Sequence, residues 1–283
     1  MSLSFFETMC RLLRAGRRVA VATVVGRQGS APRARGARMI VTEEGGALFS
    51  VGGGSFEALV IEDARQALSG GAAGEKEYRF TEEGENAVGM VCGGTARVLI
   101  EVIEPPRRLL IFGGGHVGRE VALLGSRLEF DVTVIDDRPA YLDASRYPAG
   151  VRTVRAEAGF AGGLPEIPPA SFVAILTRCH RTDLEGVRHA VGKGAAFVGL
   201  IGSRRKVATV KRRALELGTA AGALVELRAP IGLPIGAETP EEIAVSILAE
   251  MIAVDRGAAA AGRPAARSEV VRLARRAAQS SKS

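Results

Sequence analysis

The sequence predicts an α/β protein in which a Rossmann-like, doubly wound parallel sheet follows a smaller α+β domain. Three observations predict it. The run Glu104-Pro105-Pro106-Arg107-Arg108 separates halves of different grammar, because paired prolines cannot continue a ladder and stiffen a short linker. Beyond it, continuous apolar strand runs alternate with helical patterns, as in a parallel sheet covered on both faces. A glycine turn at residues 113–118 follows the first of those strands and opens the first helix. With 283 residues, 47% hydrophobic and 24% charged, the chain has room for two domains with proper cores. The expected divisions are residues 1–104, residues 105–256 and a basic tail, residues 257–283.

Each element has a local reason. Leu3, Phe6, Met9, Cys10 and Leu13 recur at helical spacing, so residues 3–13 read as an amphipathic helix. Residues 19–25 and 38–42 are β-branched runs, and residues 48–51 are short and apolar. Residues 56–68 have helical spacing and stop at Ser69-Gly70-Gly71. Residues 76–80 and 96–103 complete a sheet expected to carry its helices on one side. In the second half, strands are expected at 109–112, 132–135, 172–176 and 196–201, with helices at 116–127, 183–191 and 204–217. Thr239, Pro240 and Glu242 form a near-complete capping box for a last helix running to about residue 254.

Composition excludes several function classes. Aromatics are 5% and Trp is absent, which leaves few rings for stacking sugars or single-stranded bases. The net charge of +7 is concentrated after Gly257, where six basic residues face the single acid Glu269. A nearly balanced body with a solvated basic tail is not a nucleic-acid-binding domain. No apolar run reaches a membrane span and no signal-peptide layout is present, so no membrane role is expected. Cys10, Cys92 and Cys179 are far apart and lack zinc-site spacing, which fits a reducing cytoplasm.

The residues that carry chemistry cluster at turns. Gly113, Gly115 and Gly118 form GxGxxG: the first permits the turn, the second lets phosphate approach the backbone, and the third lets helix and strand pack closely. Asp136, closing the second strand, stands where a carboxylate meets a ribose hydroxyl. Two readings stand for this turn, a nucleotide or cofactor phosphate, or packing alone. His116 lies inside the turn, an odd place for a core histidine. His180 and Asp183 follow the strand at 172–176, at the edge where open α/β sheets bind ligands. They read as base and orienter, or Asp183 reads as a helix N-cap beside an imidazole. Ser203 and Arg204, with Arg205 and Lys206, put cations at a helix start, where the dipole disfavours them unless an anion binds or solvent screens them. In the first half, Gly53, Gly54 and Glu57 open a helix whose free N–H groups suggest an anion cradle. Cys92 lies between Val91 and two glycines, open to a bulky ligand or simply buried and inert.

Taken in order, these clusters resemble the XdhC/CoxI family, the accessory factors of xanthine dehydrogenase and related molybdenum hydroxylases. The resemblance rests on GSAPRARGARMIV, SVGGGSFEALV and GMVCGG in the first half. In the second it rests on LLIFGGGHVG, VTVIDDRP, CHRTD, VGLIGSRRK and APIGLPIGAETPEEIAVSILAEMIA. Cys179 departs from the pattern, standing where glycine is usual. The resemblance implies a maturation chaperone that binds the molybdenum cofactor (molybdopterin), protects it, supports its sulfuration by a cysteine desulfurase and helps insert it into the apo-hydroxylase. It also implies a homodimer. The anionic, phosphate-bearing pterin suits glycine cradles and cations, and Cys92 is the expected ligand of thiophilic molybdenum. The competing class is an NAD(P)-dependent oxidoreductase, or another nucleotide-binding protein, read from the glycine turn and Asp136.

Overall fold

The computed structural model describes residues 3–29, 34–80 and 94–258. The chain divides between Pro106 and Arg107 into two compact units.

The first unit is built on an antiparallel sheet. Its elements are α1 (Leu3–Arg14), β1 (Val19–Gln28), β2 (Arg38–Thr42), β3 (Ala47–Phe49), α2 (Gly54–Leu68), β4 (Gly74–Arg79) and β5 (Thr95–Ile103). The strand order is β3-β2-β1-β5-β4, every pair antiparallel. The expectation that both helices share one side is corrected here. Ala20, Ala22 and Val24 of β1 pack with Phe56, Val60 and Ala64 of α2. The alternate residues Val19 and Val21 pack with Phe5 and Leu12 of α1. Strand side chains alternate between faces, so both faces of β1 are covered, one by each helix. A bulge between Val24 and Gly26 shifts the β1–β5 register.

The second unit has a parallel sheet in the order β10-β9-β6-β7-β8. These strands are β6 (Arg108–Phe112), β7 (Asp131–Asp136), β8 (Arg152–Arg155), β9 (Phe172–Ile175) and β10 (Phe197–Leu200). Helices α3 (His116–Arg127) and α7 (Pro240–Asp255) bury Val121, Ala122, Ile247 and Leu248 against Leu109, Ile111 and Val132. Helices α4 (His180–Ala190), α5 (Arg204–Glu216) and the short α6 (Ala221–Val225) cover the other face, where Val187, Val207 and Val210 meet Leu110, Phe112 and Ile175. The expected capping box is formed: the Glu242 N–H donates to Thr239 Oγ1 at 3.2 Å and the Thr239 N–H to Glu242 Oε2 at 3.1 Å. Strand order reverses between β6 and β9, and the carboxyl ends of strands at such a reversal are where doubly wound sheets bind ligands. No helix among the described residues is long and apolar enough to cross a membrane.

Candidate functional site

The three glycines of the turn differ in what they permit. Gly113 has φ +108°, and a Cβ there would stand 2.6 Å from the Leu176 carbonyl oxygen. A Cβ on Gly118 would overlap the Gly113 carbonyl oxygen, so this glycine lets α3 lie against β6. Gly115, the N-cap of α3, has φ −63° and nothing within 4 Å of an added Cβ. Only the second glycine therefore faces open space. Beside it the α3 dipole and the N–H groups of the first turn are available to an anion. His116, the first residue of the helix, is exposed.

Asp136 is not the open carboxylate that the spacing suggests. It is 1% exposed, and both oxygens are engaged within the chain. Oδ2 accepts from the Gly114 N–H at 2.8 Å and from Arg138 Nη2 at 2.9 Å; Oδ1 accepts from the Arg138 N–H at 3.0 Å and Nε at 2.9 Å. Arg138 in turn lies over the Tyr141 ring, 3.7 Å from its centroid. Next to it, Asp137 accepts two bonds from Arg178 and one from the Gly159 N–H. The Arg178 guanidinium holds the Asp137 carboxyl well below the usual carboxylate range, with burial opposing and the Gly159 N–H assisting. A carboxyl lowered on folding stabilises the fold above its unfolded value, near pH 4, and that contribution is lost as pH falls through the folded value. Asp137→Asn is therefore expected to cost about 1 kcal/mol at neutral pH, limited by solvent screening at the half-exposed Arg178. In urea melts from pH 7 to pH 2, the gap between the two proteins should close on acidification; a gap independent of pH would refute the pairing.

The residues after β9 form a buried polar chain. Cys179 Sγ lies 3.4 Å from Thr182 Oγ1, which lies 2.6 Å from Thr177 Oγ1. Thr177 donates to Asp183 Oδ1 at 2.7 Å, and Lys206 Nζ pairs with Asp183 Oδ2 at 2.6 Å. Asp183 has no exposed surface, and burial pushes its carboxyl above the ordinary value although Lys206 and Thr177 pull it down. The N-cap reading of Asp183 is corrected: α4 begins at His180, its N-cap is Cys179, and Asp183 lies inside the first turn. The base-and-orienter pair is also not formed, because Asp183 bonds to Thr177 and Lys206 while His180 is exposed. Cys179 is half-buried at the start of α4. The Thr182 hydroxyl and N–H, and then the Arg181 N–H and Arg178 charge, hold its thiol below the ordinary value against burial.

On the neighbouring rim, Ser203 caps α5 by accepting from the Lys206 N–H at 3.3 Å, and Arg204 is exposed. The cations there divide: Lys206 turns inward to Asp183, with Gly202 making room for its stem, while Arg204 and Arg205 face solvent.

In the first unit the turn leading into the expected anion cradle is taken from within, while the N-cap of α2 has no side-chain cap. Glu57 Oε2 accepts from Ser50 Oγ at 2.5 Å and from the N–H groups of Val51, Gly52 and Gly53 at 3.1, 3.4 and 3.0 Å. Burial pushes the Glu57 carboxyl up, and these four bonds together hold it below its usual value. Gly53 and Gly54, with φ +78° and +63°, thus shape a turn around the chain's own carboxylate. Cys92 lies outside the described residues. Among the described residues no group of three or more His, Cys, Asp or Glu is placed to hold a metal ion.

Sequence reasoning missed Arg138, Tyr141 and Arg146. Arg146 reaches the Gly114 carbonyl at 3.5 Å and lies 5.2 Å from the Tyr141 ring centroid. Its Nε is buried without a partner among the described residues. The signal available was the density of Arg and Tyr in the ten residues after Asp136, at the strand end where a ribose is recognised.

A family model described as the XdhC Rossmann domain matches residues 109–251, and one described as the XdhC and CoxI family matches residues 12–79. The uncharacterized protein YqeB of Escherichia coli (strain K12) is 38% identical over 240 residues, 84% of this chain and 44% of that protein. A probable xanthine dehydrogenase subunit of Bacillus subtilis (strain 168) is 31% identical over 158 residues, 56% of this chain and 46% of that protein. The chain spans about half the length of the curated relatives it matches. A crystal structure of a xanthine dehydrogenase from Bacillus halodurans is 22% identical with a TM-score of 0.49, covering 91% of this chain and 97% of that one.

Proposed function

The chain belongs to the XdhC and CoxI family, and from that premise we propose that it is an accessory factor for a xanthine dehydrogenase-type molybdenum hydroxylase. Its cargo is the molybdenum cofactor, which it binds, protects and delivers to the apo-hydroxylase; a cysteine desulfurase acts on the bound cargo, and the factor works as a homodimer. The observation that carries the reading is the open start of α3 at the point where strand order reverses in the second unit. Gly115 opens the start of α3 toward solvent, and Arg146 lies beside the same turn with a buried, unpartnered Nε. Both favour a phosphate-bearing ligand. The chemistry of the cargo also fits Cys179, a half-buried thiol held below its ordinary range on the same edge of the sheet, because molybdenum is thiophilic. The role of this chain is to bind and orient; the molybdenum–sulfur chemistry is supplied by the cargo when bound.

The test is retention. The full chain, loaded anaerobically with molybdenum cofactor and passed through gel filtration, should carry molybdenum and pterin in stoichiometric amounts. Gly115→Ala should fold normally and weaken retention about tenfold, the equivalent of one hydrogen bond to a charged group. Recovery of neither molybdenum nor pterin with the wild type would sink the reading.

The competing oxidoreductase reading draws on the same glycine turn. Against it, the Asp183 oxygens are engaged by Thr177 and Lys206, so its effect on the exposed His180 is through charge and not through an orienting hydrogen bond.

A further inference from the structure

The carboxyl end of β7 has a chemistry that the glycine turn alone does not reveal. In dinucleotide-binding sheets the ribose nearest this strand is recognised in one of two ways. A free carboxylate accepts from the 2′- and 3′-hydroxyls, or an arginine receives a phosphate on the 2′-oxygen. Here the carboxylate is saturated. Asp136 accepts four hydrogen bonds, two per oxygen, and is 1% exposed, so a ribose diol would find no lone pair pointing outward. What this strand end presents instead is cationic. The Arg138 side chain keeps 31% of its surface exposed, and Asp136 engages Nε and Nη2, which leaves Nη1 and one ring-free face. Tyr141 backs its guanidinium at 3.7 Å. Arg146, beside the same ring, reaches the Gly114 carbonyl, and its charge also acts on the nearby Asp143. The two carboxylates at the end of β7 are thus already matched to Arg138 and Arg178, and Arg146 is left with the Tyr147 hydroxyl and the charge of Asp143, a carboxylate on the loop that follows.

We infer that this subsite selects a ribose phosphomonoester, so that the second unit binds a 2′-phosphorylated nicotinamide dinucleotide in preference to the unphosphorylated one. The inference rests on the reading of the open start of α3 as a phosphate-binding site. The pyrophosphate would lie at Gly115 and the first turn of α3, in competition with the phosphate of the cargo; the 2′-phosphate would meet Nη1 of Arg138 and the guanidinium of Arg146, and Asp136 would make no hydroxyl contact. A guanidinium gripping a dianion in a partly buried site outweighs its interaction with a neutral hydroxyl pair.

Isothermal titration of the full chain with NADP⁺ and NAD⁺ at fixed ionic strength tests it. NADP⁺ should bind at least about tenfold more tightly, which is about 1.4 kcal/mol. Arg138→Ala should reverse the order, because it removes the phosphate donor and frees Asp136 for the diol. Equal affinities in the wild type, or tighter NAD⁺, overturn the inference, and this comparison needs no variant to fold. If Arg138→Ala weakens both ligands alike, the residue is structural and the inference fails. If neither dinucleotide binds while molybdenum cofactor is retained on gel filtration, the inference falls and the accessory reading stands. If NADP⁺ binds and the cofactor is not retained, the converse holds.

Discussion

Gly118→Ala is expected to unfold the second unit or to cost it at least about 3 kcal/mol, the upper range for forcing an atom into a packed site. The added methyl would overlap the Gly113 carbonyl oxygen, which belongs to backbone and cannot rotate away. Gly113 is itself fixed by its positive φ and by the Leu176 carbonyl, so strain at one glycine is passed to the β6–β9 junction rather than absorbed. Gly115→Ala supplies the control, since its methyl meets nothing and only cap preference is lost, about 1 kcal/mol or less. Amide hydrogen exchange in β6 and α3 reads both: protection should collapse in Gly118→Ala and persist in Gly115→Ala. Equal protection in the two variants would show that the turn relaxes and that the third glycine is not required for packing.

Lys206→Met is expected to destabilise the second unit by about 3 kcal/mol at neutral pH, because it strands a buried carboxylate. Asp183 has no exposed surface, whereas Lys206 keeps 27%, which puts the cost at the lower end of the range for broken buried pairs. The sign with pH follows from burial. A carboxyl whose folded value is raised is held most comfortably protonated, so the deficit is complete above that folded value. It shrinks as pH falls toward the unfolded value near 4. Asp183→Asn placed on Lys206→Met should recover most of the loss, since the uncompensated charge is gone. Urea denaturation of the three proteins at pH 7 and pH 5 decides it. A loss of less than about 1 kcal/mol in Lys206→Met, or no recovery in the double variant, would mean that Asp183 is already protonated in the fold.

The elements themselves are largely legible in the sequence. Apolar periodicity locates α1, α3, α5 and α7 to within a residue or two, and strand candidates fall on every strand except β8, although β1 runs three residues further than expected and β3 and β4 are displaced by one or two. β8 escapes because Arg152 and Arg155 give its four residues no apolar face: it is an edge strand, and it is mostly exposed. α6 is five residues long and has no side-chain cap to announce it. The sequence puts the start of α4 three residues late because Asp183 looks like a cap, whereas the true N-cap, Cys179, makes no side-chain cap bond. The site is less legible for a different reason. That Glu57 would occupy its own glycine cradle, that Asp136 would be taken by Arg138, and that Asp183 would find Lys206 on another helix are facts of three-dimensional partnering. Sequence spacing reports which residues can reach a turn. It does not report which of them neutralise each other once there.

The two-sided burial of β1 has a consequence for how the first unit finds its alignment. In a sheet with one wet face, slipping a strand by one residue drives polar groups inward, and that penalty enforces the correct match. β1 presents apolar side chains to both helices, so polarity alone discriminates poorly between in-step and out-of-step alignments. Size does the discriminating: Ala20 and Ala22 admit α2 closely, while the bulkier Val19 and Val21 meet α1. A one-residue slip would press valines into the tight side and open voids on the other. The fidelity of this sheet is thus written in volume rather than in polarity, and its weak points are the alanines.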